Sequence, residues 1–210
     1  MNIRRLFMKT ETVGVFSTGD GRELALELTE RTGAYCALDE RSVLRLRLLS
    51  EELIELIRSF NSDLRGEFWL ETVDDNIEIH LKTVIPMDKQ TRKELLSVSS
   101  SGTNSAAKGM MGKIRDLIES VVLPDDPETK FLSEQALGLM TTGSQMGVCY
   151  NGAYTWSMNT YAASVGNAAG SAAAEEKDDL EKSIVANLAD EITVNIVESV
   201  VEVTIFKAYR

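Results

Sequence analysis

Cysteine, proline and histidine are scarce in this chain: two, three and one among 210 residues. Cys36 and Cys149 lie far apart and are too few for a disulfide framework or a zinc knuckle, which points to a reducing compartment. A single histidine, His80, excludes histidine-rich zinc sites, and no nucleophile elbow accompanies it to build a Ser-His-Asp set. Basic residues are outnumbered, 22 Lys and Arg against 33 Asp and Glu, for a formal net charge of -11. Displacing counterions from a phosphate backbone needs the opposite balance, so nucleic acid is not an expected partner. Long apolar runs are missing too. None approaches the roughly 18 residues of a membrane span, and the opening MNIRRLFMKTETVG lacks the apolar core of about 7 residues that a secretory signal needs. A cytoplasmic protein with no membrane partner is the expectation.

What remains is an ordinary globular composition, 43% hydrophobic and 26% charged, long enough to bury a sizeable core as one domain. A short strand is predicted near Thr12 to Ser17. The turn-like TGDG at 18–21 then opens a helix over Arg22 to Thr32. A second helix, capped by Asp39, runs to about Phe60, with Leu46, Leu49, Leu53, Leu56 and Ile57 repeating at spacings of three and four. From Gly66 the period changes to two: Phe68, Leu70 and Thr72, then Ile77, Ile79 and Leu81, flank a VDDN turn and predict a hairpin that Pro86 ends. Helical patterns follow over 88–98 and 106–122. From Phe131 to Ala174 the composition shifts to small residues, Met and aromatics, and 166–179 reads as a linker or loop. The Met- and aromatic-rich part, Met140 to Tyr161, fits either a partner surface or the core of an inserted subdomain. A helical stripe from Leu180 to Leu188 and two alternating strands, ITVNIV and VVEVTIF, close the chain. The summed order predicts an α+β two-layer sandwich, helices on a mostly antiparallel sheet.

Two readings fit the helix segment LLSEELIELIRSF, residues 48–60. Glu51, Glu55 and Arg58 share one side of it, so they can form the ion pairs of a solvated helix face. The same spacing can place a carboxylate base one turn before an oxygen ligand for Mg²⁺. His80, opposite in facing to Ile79 and Leu81, reads as a surface or sheet-packed ring, with a base as the competing role.

The segment Ser50-Glu51-Glu52-Leu53-Ile54-Glu55-Leu56-Ile57-Arg58 resembles the N-box helix of the histidine-kinase-like (GHKL, Bergerat) ATPases, especially the small serine kinases that act as anti-sigma factors. The closing run from Asn187 to Val194, followed by Val201 to Lys207, resembles the last helix and hairpin of the same kinases. The resemblance implies a histidine-kinase-like ATPase fold spanning 1–210 with a large insertion at about 88–179. It implies ATP and Mg²⁺ as cofactors, Glu51 as general base, and Glu55 as metal ligand in place of the family's Asn. Thr83 stands where the family's adenine-binding Asp is expected, and both glycines of that motif are absent. Lys108-Gly109-Met110-Met111-Gly112-Lys113 loosely resembles the glycine lid, making Gly109 and Gly112 the phosphate-binding candidates. The nucleotide motifs are therefore degenerate. The expected function is an ATP-binding regulatory protein with weak or lost activity, or a non-catalytic interaction scaffold on the same fold. Its expected partner is a regulatory protein, with a homodimer as a further option.

Overall fold

The computed structural model describes residues 7–60, 63–73, 76–85, 109–122, 148–150, 153–167, 177–178 and 180–209. The alternating segments pair into one sheet of eight strands: β1 (Met8–Lys9), β2 (Val13–Phe16), β3 (Arg65–Val73), β4 (Asn76–Val84), β5 (Val148–Tyr150), β6 (Ala153–Ser157), β7 (Glu191–Val197) and β8 (Val200–Ala208). Their order across the sheet is β1-β3-β4-β8-β7-β6-β5, and β2 follows β1 along the same edge of β3. Every pairing among the described strands is antiparallel. The helices among the described residues include α1 (Arg22–Tyr35), α2 (Glu40–Ser59), α3 (Met110–Val122), α4 (Met158–Asn167) and the short α5 (Ile184–Leu188). The protein is thus α+β, with an open antiparallel sheet.

Strand alternation divides the sheet into two faces. Val15, Phe68, Leu70, Ile79, Val194 and Ile205 point to one side and are fully buried with Leu26, Leu46 and Leu53 of the helices. Helix α3 adds Met110, Ile114, Ile118 and Val122, a buried row at steps of four. Trp69 and His80 are buried as well, but on the other face and outside this core.

Local chemistry sets the ends of the first two helices. Gly21 precedes α1 at φ 80, and a Cβ there would lie 1.9 Å from the carbonyl oxygen of Gly14. Only glycine meets both conditions. Asp39 caps α2 as the sequence predicts, its Oδ1 accepting the Ser42 amide at 2.7 Å. That backbone hydrogen bond holds the Asp39 carboxyl below the usual carboxylate range. The two helices pack closely where Gly33 faces Val43, a Cβ on Gly33 coming within 3.0 Å of a Val43 methyl carbon.

Three segments depart from expectation. Helix α1 continues three residues past Thr32, to Tyr35. The stripe from Leu180 does not form one continuous helix: Ser183 is extended and starts α5 afresh, its hydroxyl accepting the Ala186 amide. Part of the stretch expected as an insertion joins the common sheet, since β6 pairs with β7 and places Tyr154 and Trp156 opposite Ile196 and Val194 in the core. The helix expected at 88–98, the VDDN turn residues 74–75 and most of the linker at 166–179 lie outside the described residues.

Candidate functional site

The acidic stripe of α2 meets α1. The carboxylate of Glu51 lies between two guanidiniums, 3.2 Å from Arg47 Nε one turn earlier and 3.5 Å from Arg22 of α1. Arg47 also pairs with Glu30 of α1. Glu55 accepts from Arg58 at 2.8 Å and lies 3.7 Å from Arg22 Nε. Glu30, Arg47, Glu51, Arg22, Glu55 and Arg58 therefore form a continuous ionic seam between the two helices. Glu52, half-buried beside them, behaves differently: burial raises its carboxyl above the ordinary value, and the charges of Glu55 and Glu51 push it further.

Thr83, expected near a nucleotide base, lies on the helix-facing side of β4, buried. Its hydroxyl donates to the Arg65 carbonyl at 2.9 Å, so the donor is committed within the sheet. Gly109 precedes α3 at φ 104, a conformation that suits glycine. The Met110 amide that follows donates to Ser183 Oγ at 3.3 Å, joining the starts of α3 and α5. Gly112 sits in the first turn of α3. The structure thus brings Glu51 and Glu55 together on α2, and it sets Gly109 and Gly112 at the start of α3, where Gly109 lies beside Ser183.

A different constellation occupies the sheet face opposite the helices. Pairing Val73 with Asn76 sets Trp69 across from His80 and Glu71 across from Glu78. The indole and imidazole rings stack with centroids 4.8 Å apart and planes inclined by 2°. Lys9 lies over the indole at 4.5 Å and pairs with Glu71 at 3.0 Å. The indole N–H donates to the same carboxylate at 2.9 Å. Burial works to raise the Glu71 carboxyl, but the Lys9 and Trp69 hydrogen bonds, with the neighbouring His80, bring it below the ordinary value. His80 Nδ1 lies 3.2 Å from Thr204 Oγ1 and 3.4 Å from Glu202 Oε1 on β8. Its Nε2 lies 3.3 Å from Glu78 Oε2. Glu71, Glu78 and His80 each present a ligand atom within 4.8 Å of the others.

Sequence spacing reaches some of this. Arg47 stands four residues before Glu51, so their pair follows from helix periodicity; the contribution of Arg22 comes from another helix and carries no local signal. The His80 cluster has no motif along the chain, because its members come from two strands. It becomes visible only once the hairpin register is set, which aligns the two acids and the two rings.

Among the described residues, no helix is long and apolar enough to cross a membrane. Compared with models of known protein families and with curated proteins, the chain matches none.

Proposed function

We propose that the chain is a non-catalytic regulatory protein, one that keeps a sandwich of the histidine-kinase-like type and uses its acidic surface to bind a protein partner. The observation that carries this reading is the setting of Glu51. A general base must be oriented by its surroundings toward an attacking water. Here Arg47 Nε and Arg22 both meet a single oxygen of Glu51, Oε1, so the carboxylate serves as a salt-bridge partner between α1 and α2. The Thr83 hydroxyl is likewise spent on a backbone carbonyl. Net charge of -11 favours a basic partner and an association that weakens with salt.

Glu51→Gln tests it. The expected result is no Mg²⁺-dependent ATP turnover in either the parent or the variant, and a stability loss of up to about 1 kcal/mol in urea unfolding, the usual scale for partly exposed ion pairs. Turnover in the parent that disappears in a folded Glu51→Gln protein would overturn the proposal.

A second reading, an ATP-binding regulatory protein, is favoured by one observation: Glu51 and Glu55 stand one turn apart and both reach Arg22. In that reading Glu51 is the base, Glu55 holds Mg²⁺, and Gly109 and Gly112 meet the phosphates. It requires the Glu51 oxygen other than Oε1 to face the attacking water.

A further inference from the structure

We infer that Glu71, Glu78 and His80 form a binding site for one divalent transition-metal ion, of the Zn²⁺ or Co²⁺ type, on the sheet face opposite the helices. Three independent features meet there. First, Glu71 and Glu78 are direct cross-strand partners, and like charges directly opposite one another destabilise a sheet. Glu202 adds a third carboxylate beside His80. Against these stand Lys9, paired with Glu71, and Lys82, set across the strands from Glu202. A cation between the two opposed acids relieves the repulsion that remains.

Second, His80 Nε2 is buried and makes no hydrogen bond, although its side chain is only 9% exposed and this nitrogen is aimed at Glu78. The Glu78 oxygen lies 3.3 Å away without hydrogen-bond geometry, and a metal ion between the two gives both a partner.

Third, the surroundings hold the imidazole as a ligand ring is normally held. A metal-binding histidine usually turns its other nitrogen to a carboxylate, hydroxyl or carbonyl that fixes the tautomer. Here Nδ1 faces Glu202 and Thr204, while Trp69 stacks on the ring and fixes its plane. The indole N–H orients Glu71 in turn.

The chemistry and the reach both fit. One imidazole and two carboxylates suit a borderline first-row ion. Ligands at about 2.0–2.2 Å from such an ion sit roughly 3.0–3.6 Å from one another. The donors already lie within 4.8 Å, so small rotations of the glutamates close the site. Glu78, with 37% of its side chain exposed, has the freedom to make them. The bound ion would fasten β3 to β4 on the side that the helix core does not reach.

The test is calorimetric titration of the EDTA-stripped full chain with ZnCl₂, together with Co²⁺ quenching of tryptophan emission, since Trp69 stacks on the ligand ring. The expected result is one Zn²⁺ per chain, Co²⁺ quenching that saturates, and affinity lowered at least tenfold in both Glu78→Gln and His80→Phe. The phenyl ring keeps the stack on Trp69 and removes the nitrogen. Glu67→Gln, an acid on the same face but outside the cluster, should bind as the parent does. No saturable Zn²⁺ binding, no quenching at saturating Co²⁺, or affinity within twofold of the parent in either folded variant would overturn the site. Should His80→Phe fail to fold, Glu78→Gln alone decides, because that side chain is partly exposed and lies outside the core.

Discussion

Three glutamates within five positions of α2 have different fates because of what each side chain meets. Glu51 and Glu55 reach arginines, whereas Glu52 turns toward partial burial and has two acids as neighbours. The folded protein therefore holds a proton on Glu52 more tightly than the unfolded chain does. A carboxyl raised in this way costs stability when ionised, and the cost disappears as pH falls through its folded value toward the ordinary 4.5. Glu52→Gln is accordingly expected to stabilise the protein at pH 7 by a few tenths of a kcal/mol, a modest figure because the group is half in water. The gain should fade as the pH falls to the ordinary 4.5. Urea unfolding at the two pH values checks the sign; a variant less stable than its parent at pH 7 would mean that the carboxylate has a favourable partner.

At the scale of elements, the hydrophobic periods carry most of the information. α2 with its Asp39 cap, the β3–β4 hairpin and the closing β7–β8 hairpin all follow from spacings of three and four or of two. Such periods are weak between 131 and 174. β6 is five residues long, and its core members Tyr154 and Trp156 stand among small and polar neighbours that give no extended period. Its place depends on pairing with β7, some forty residues later. The start of α5 departs from expectation for a smaller reason: the hydroxyl of Ser183 competes for the helix start, which apolar spacing ignores. How closely α2 seats on the sheet is set by Gly66. A Cβ there would lie 2.1 Å from Ile57 Cδ1 and 3.1 Å from Leu81 Cδ1. Gly66→Ala should destabilise by about 1–3 kcal/mol through overpacking. Adding Ile57→Val, which removes the nearest carbon, should recover part of that loss even though Ile→Val alone costs about 0.5–1.5 kcal/mol. Strict additivity of the two changes in urea unfolding would show that the clash lies elsewhere.

For the whole molecule, the α+β class and the antiparallel sheet are legible in the sequence, while the candidate site is legible only in part. Glu51 and Glu55 can be placed on one helix face, but whether that face meets nucleotide or another helix depends on where α1 packs, and nothing in a single helix encodes that. The cluster at His80 depends equally on register. Both cases share a cause: polar side chains acquire their roles from partners that are distant in sequence. Under the proposed function, the ionic seam between α1 and α2 replaces nucleotide chemistry. The most direct test is the melting temperature of the full chain with and without millimolar ATP and Mg²⁺. A ligand at 100 times its dissociation constant stabilises by about 2.7 kcal/mol, or roughly 5–10 °C for a protein of this size. A scaffold whose Glu51 is held by Arg22 and Arg47 should show no shift; an upward shift of that order that vanishes when Mg²⁺ is withheld would contradict the proposal and return Glu51 and Glu55 to a working nucleotide site.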